Sequence, residues 1–121
     1  MKVRCIRLLD ATGKPQDKSG WLTVGKIYHV LEVVQGTDRK WMFRMVGDGL
    51  NGVALFWLEE FEIVSSKIPD SWIIMWPKDD FFVLRPESWS RPGFWERYYD
   101  KDPESIRIFE QERGKIIEAD P

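Results

Sequence analysis

Cysteine and histidine are nearly missing from this chain of 121 residues, which has one of each, Cys5 and His29. A single cysteine cannot form an intrachain disulfide, and one cysteine with one histidine is too little for a structural metal site. That usage suits a reducing compartment. Cys5 lies in an apolar run at residues 3–9 and reads as a small hydrophobe rather than a nucleophile. Long apolar runs are missing as well. None approaches the ~18 residues of a membrane span, and the basic N-terminus lacks the apolar core of a signal segment. The expectation is a cytoplasmic protein without membrane contact. Basic excess is the third absence: 18 Lys and Arg face 20 Asp and Glu, for a net charge of −2. Residues 1–65 hold nine basic and eight acidic side chains, and residues 66–121 hold nine and twelve. Neither half has the surplus that counterion release at a phosphate backbone rewards, so nucleic-acid binding is disfavoured.

Catalytic signatures are absent too. There is no phosphate-binding loop, dinucleotide fingerprint, His-Glu-x-x-His pair or Gly-x-Ser-x-Gly elbow. Acidic neighbours occur at Glu59-Glu60, Asp79-Asp80 and around Asp100, Asp102 and Glu104. All fall in turns or helix caps, where acids serve structure and solubility. His29 sits on a strand among apolar neighbours, and general-base chemistry would need a partnered carboxylate in a pocket. The chain therefore reads as non-enzymatic and without a cofactor.

Aromatic residues, by contrast, are abundant: seven Trp, seven Phe and three Tyr. Hydrophobic residues make up 43%, enough for one domain with a core of its own. Alternation and turn residues predict strands at residues 3–9, 26–34, 39–46, 53–57 and 61–64. A loop at residues 10–20 separates the first two, Gly25 turns the chain into the second, and residues 58–60 suit a single 3₁₀ turn. Five short strands with tight turns favour a partly closed barrel.

Several residues add a resemblance. Val3-Arg4-Cys5-Ile6, then Leu22-Thr23-Val24-Gly25-Lys26-Ile27-Tyr28-His29-Val30-Leu31, a Gly-Asp-Gly turn at residues 47–49, and Phe61-Glu62-Ile63-Val64 follow one another in order. This pattern resembles a group of small bacterial and phage proteins with an SH3-like barrel of five strands. The resemblance covers residues 2–65 and implies the fold alone, since such barrels bind peptides, proteins and nucleic acids alike.

Beyond residue 65 the chain adds a hairpin, with apolar runs at residues 72–76 and 81–84 around a four-residue loop, then a short helix at 92–99. Asp102 reads as the cap of a longer helix over residues 103–119, with Pro103 at its first position. Ile106, Phe109, Arg113, Ile116 and Ile117 share one face of it. The expected architecture is α+β: a small SH3-like five-stranded barrel (residues 1–65), extended by a hairpin and two C-terminal helices (66–121) packed on it as one structural unit. The stretch from Pro92 to Glu110 faintly resembles the tails of bacterial toxin-immunity proteins.

The candidate binding residues lie in this second half. Trp89, Phe94, Trp95, Tyr98 and Tyr99 are the densest aromatic cluster, with i,i+4 pairs that leave the short helix on adjoining sides. With Asp79, Asp80 and Asp100 they form the expected partner-binding set, Trp and Tyr being common interface anchors. The expected function is a protein–protein binding module with an unidentified protein partner. Its most specific form is an immunity-type protein that occludes a toxin. The alternative is a nucleic-acid-binding barrel using Arg39, Lys40 and Arg44. No sequence feature assigns an oligomeric state.

Overall fold

The computed structural model describes residues 1–50, 52–78 and 80–121, with Asp80 described by its backbone alone. Strands β1 (Lys2–Cys5), β2 (Ile27–His29), β3 (Glu32–Gly36), β4 (Trp41–Val46), β5 (Val53–Trp57), β6 (Phe61–Ser65), β7 (Trp72–Met75) and β8 (Asp80–Pro86) precede helices α1 (Phe94–Tyr99) and α2 (Pro103–Ala119). Two 3₁₀ turns, Leu58–Glu60 and Glu87–Ser90, introduce β6 and α1. The α+β class holds. The strands form two antiparallel sheets, one in the order β2-β1-β6 and one in the order β5-β4-β3-β8-β7. The sheets do not close into a hydrogen-bonded barrel. No described helix is long and apolar enough to cross a membrane.

The split between sheets comes from one corner. Residues 26–34 were expected to run as a single strand, but the chain changes sheet at Val30 and Leu31. Val30 N–H donates to the Met1 carbonyl at 3.0 Å, beside β1, and Leu31 N–H donates to the Arg44 carbonyl of β4 at 2.9 Å. Both side chains are buried, so the in-out alternation of a strand with one wet face fails at this step. The loop before β2 is braced from the other side. Gly25 turns the chain with φ +92°, a value that disfavours any residue with a Cβ. Asp48 then brackets the turn, accepting from Thr23 Oγ1 at 2.6 Å, Lys26 Nζ at 2.6 Å and the Tyr28 hydroxyl at 3.0 Å.

The two sheets face each other over Val3, Cys5, Tyr28, Phe43, Met45 and Phe61. Phe43 and Phe61 bring their rings to 6.0 Å across the gap. The hairpin β7–β8 does not stand alone but joins the larger sheet through β8, with Val33 opposite Leu84 and Val34 opposite Val83. This is how two strands that would be marginal in water gain support. Helix α2 begins as expected, with the Asp102 carboxylate accepting from Ser105 N at 3.0 Å. Its buried stripe is Ser105, Phe109 and Ile116. Ile106, expected on that face, is 37% exposed. Burial of Ser105, whose hydroxyl is spent on Asp102, rotates the packed face by one position. The end of α2 reaches the small sheet, where Asp120 accepts from Ser65 Oγ at 2.6 Å and lies 3.3 Å from the terminal amine of Met1.

One row of the larger sheet carries charge. Glu32 lies opposite Arg44, and one further step along β3 and β8 brings it level with Arg85. Glu32 is fully buried. Its two carboxylate oxygens accept from Arg44 Nε at 3.1 Å and Arg85 Nη1 at 3.2 Å. The second cation is balanced by neutral groups. Arg44 lies 3.9 Å from the centre of the Trp95 ring and donates to the Tyr99 hydroxyl at 3.1 Å, while Arg85 Nε donates to Ser90 Oγ at 2.7 Å. Removing the carboxylate would strand two buried guanidinium groups. Glu32→Ala is expected to lower stability by about 3–5 kcal/mol, read as a fall in the urea unfolding midpoint.

Candidate functional site

The expected partner-binding cluster is mostly core. Trp89 and Phe94 are 1% and 2% exposed. Trp89 stacks on Phe109 of α2 at 5.3 Å and on Phe94 at 6.5 Å. Trp95 and Tyr98 are half-buried, Trp95 with its ring face against Arg44 and Tyr98 against Phe109 at 4.7 Å. Burial raises the Tyr98 phenol above its usual value. Tyr99 is half-exposed, but its hydroxyl donates to the Val53 carbonyl at 2.9 Å and accepts from Arg44. The reason is geometric. A helix of six residues, clasped by the preceding 3₁₀ turn, α2 and the sheet, has too few sides to keep an aromatic stripe free. Asp100 is exposed. Asp79 lies outside the described residues, as does the side chain of Asp80.

The basic residues of the alternative reading also part company. Arg39 and Lys40 are exposed. Arg44 is 8% exposed and committed to Glu32, so it is not free to meet a phosphate.

Other candidates are structural. The Cys5 thiol is buried, and desolvation raises its pKa, the opposite of what a reactive thiolate needs. His29 Nε2 sits 2.7 Å from the Asp120 carbonyl, joining β2 to the end of α2. The loop at residues 10–20 is pinned. Asp10 Oδ1 accepts from the Thr12 amide and hydroxyl and the Lys14 amide, and Trp57 Nε1 donates to the Asp10 carbonyl at 3.0 Å. Beneath it lies a cleft of about 290 Å³ walled by Trp21, Phe56, Trp57 and Glu60. Burial raises the Glu60 pKa. Its oxygens accept from Leu9 N at 2.9 Å and Trp57 N at 3.2 Å, so this carboxylate fastens the loop.

An aromatic row on the larger sheet is a different matter, and the sequence reading missed it. Gln35 of β3 pairs with Trp41 of β4 on one side and Phe82 of β8 on the other. Trp76 follows Met75, which pairs with Val83, and so lies beside Phe82. Trp41 and Phe82 bring their rings to 5.4 Å, and Trp76 and Phe82 to 6.2 Å. By strand alternation Trp41 shares a face with Phe43. Phe43 is covered by the small sheet through Phe61, whereas Trp41 remains 36% exposed and Trp76 73%. Phe81 is 44% exposed, with the Arg39 guanidinium 5.3 Å from its ring centre. The row thus stands on a hydrogen-bonded scaffold at the end of the sheet that the small sheet does not reach. The signal was present as period-two alternation, but alternation does not say how far along a strand the opposing layer extends.

The chain matches no family model, no curated protein and no solved structure.

Two outcomes check the structural assignments. Cys5 is expected to resist a soluble thiol reagent in the native protein and to react fully in urea. Asp48 has its pKa held below the ordinary carboxylate value. Burial alone would raise it, but the hydrogen bonds from Lys26, Thr23 and Tyr28 outweigh that. The stability it confers is present above its unfolded pKa of about 4 and is lost as pH falls through the lowered folded value. Asp48→Asn is expected to cost about 1–2 kcal/mol at neutral pH. The gap from wild type should narrow in urea titrations carried below about pH 4.

Proposed function

We propose that this protein is a non-enzymatic protein–protein binding module, acting in the cytoplasm, whose partner seats on the Trp41–Phe82–Trp76 row. The observation that carries the reading is the row itself: three adjoining aromatic side chains held on a paired sheet, two of them Trp with substantial exposure. Large rigid aromatics placed this way are the anchors from which interfaces draw most of their energy. Arg39 and Lys40 lie exposed at the start of β4, beside Trp41. The complementary partner surface is therefore apolar at its centre and acidic at its rim. In its most specific form the partner is a toxin whose working surface the module covers, as in immunity-type proteins. We also read residues 2–65 as an opened SH3-like unit. Support for that comes from the Gly25 turn into β2 and the 3₁₀ turn that leads into the last strand of the small sheet.

Two features weigh against the nucleic-acid alternative. Arg44 is consumed by the buried ion pair. The rings of the row meet at 64° and 81°, an edge-to-face arrangement that suits side-chain anchors better than a stack of bases, which wants open parallel faces.

The test is affinity capture from the native host with wild-type protein and with Trp41→Ser. An exposed side chain can be truncated with the fold intact, which circular dichroism checks. Wild type is expected to retain a specific protein, and the variant to bind it more weakly by about tenfold or more. Equal retention by both proteins, or recovery of nucleic acid alone, overturns the reading.

A further inference from the structure

Strand edges are where a sheet invites another chain, and natural proteins guard them with charge, proline, bulges or a covering element. Among the described strands, three of the four sheet edges are guarded. The β5 edge is uncharged but occupied. Tyr99 donates to the Val53 carbonyl, Glu60 accepts from the Trp57 amide, and Trp21 packs on Phe56 at 6.1 Å. The β6 edge carries Glu62, paired with Arg4, and ends at Ser65, which Asp120 holds. The β2 edge is three residues long, and its last residue, His29, is held at 2.7 Å by the Asp120 carbonyl at the end of α2.

Past its first residue, whose amide donates to the Pro69 carbonyl at 3.1 Å, the β7 edge has none of these devices. It lies last in the larger sheet, and no described strand flanks its outer side. Trp72–Met75 contains neither charge nor proline, and it pairs with β8 over four residues without a register shift. Ile73 is 36% exposed, Ile74 54% and Trp76 73%.

The sequence around this strand is symmetric about Ile74. Ile73 and Met75 flank it, Trp72 and Trp76 lie two residues away on either side, and Asp70 and Lys78 lie four residues away with opposite charges. Both charged residues are exposed. A strand of this pattern is complementary to itself when reversed. We propose that β7 pairs antiparallel with β7 of a second copy across a two-fold axis, Ile74 facing Ile74, so that two of the larger sheets join edge to edge. In that register Ile73 faces Met75 of the second copy, and Trp72 faces Trp76. Asp70 and Lys78 lie in the turns that flank the strand, so each end of the ladder brings an acidic residue of one copy near a basic residue of the other. Pro77, which has no amide proton to give, limits pairing beyond Trp76. The contact is isologous and closes at two copies, so the edge is consumed rather than extended. A second copy fits better than an unrelated strand because the paired charges at the ends come from this chain's own spacing. The Trp41 end of the aromatic row lies on β4, with β3 and β8 between it and β7, and remains open to a partner.

Sedimentation velocity on the full chain tests the proposal. Wild type is expected to be dimeric at concentrations of about 10–100 μM, with dissociation on dilution. Ile74→Lys sets two ammonium groups against each other on the axis and is expected to give a monomer with an unchanged circular dichroism spectrum. Asp70→Lys places like charges at both ends and is expected to weaken dimerisation by about fivefold. Adding Lys78→Asp to that variant restores opposite charges at both ends and is expected to recover the wild-type affinity. A wild type that stays monomeric at about 100 μM overturns the proposal, as does a double variant no tighter than Asp70→Lys. Trp41→Ser is expected to leave the dimer intact, so the partner-surface reading and this one fail separately.

Discussion

Glu32 is the residue on which the rest of the fold depends. A carboxylate with no exposed surface holds a guanidinium from each neighbouring strand, and each guanidinium reaches on to a different part of the C-terminal half. Arg44 runs beneath Trp95 to Tyr99 on α1, and Arg85 reaches Ser90 in the 3₁₀ turn before it. An ion triad of this kind adds little net stability over a well-packed apolar substitute, because burying three charges costs several kcal/mol per ion. Its effect is on arrangement. The hairpin must pair with β3 in the one register that brings Arg85 level with Glu32, and α1 must lie where Trp95 can cover Arg44. A slip by one residue would leave charge in the core without a partner.

The small sheet is fastened by charge and polar contacts at its rim. Asp120, at the end of α2, meets Ser65 of β6 and the amine of Met1 ahead of β1, while its carbonyl meets His29 of β2. The Ser65 hydroxyl, then the terminal amine, hold its carboxyl below the usual value. These contacts are at the surface and individually weak, yet they touch all three strands of the small sheet. The end of the chain thus closes over its beginning. Asp48 likewise clamps the turn into β2, and Glu60 fastens the loop after β1.

Function, on this reading, follows from which aromatic residues the fold uses and which it leaves over. Trp89, Phe94 and Phe109 are spent on joining the helices, and Trp95 on covering a cation. Trp41 and Trp76, by contrast, keep 36% and 73% of their surface exposed. A monomer that keeps Trp76 at 73% exposure carries apolar surface that water disfavours at about 25 cal/mol per Å². A partner surface would account for that cost, and a neighbouring uncharged strand edge would add to it.

Much of the architecture was legible because its signals are local. Residues 53–57 alternate between turn residues, and Asp102-Pro103 marks the start of the long helix, so β5 and α2 appear with the bounds expected. Turn chemistry likewise located the hairpin of β7 and β8. What the sequence could not decide was layering. The change of sheet at Val30 and Leu31 depends on amides finding acceptors at Met1 and Arg44, distant in sequence. The aromatic cluster of residues 89–99 looked like a surface because i,i+4 spacing describes a helix's faces and not its neighbours. The exposed row was invisible because its members, from β4, β8 and the end of β7, meet only when two hairpins share β3 as a common partner. The sequence by itself determined the elements and their turns, through short-range sterics and periodicity. Only the tertiary structure decided which faces are covered, because burial depends on where an opposing layer ends.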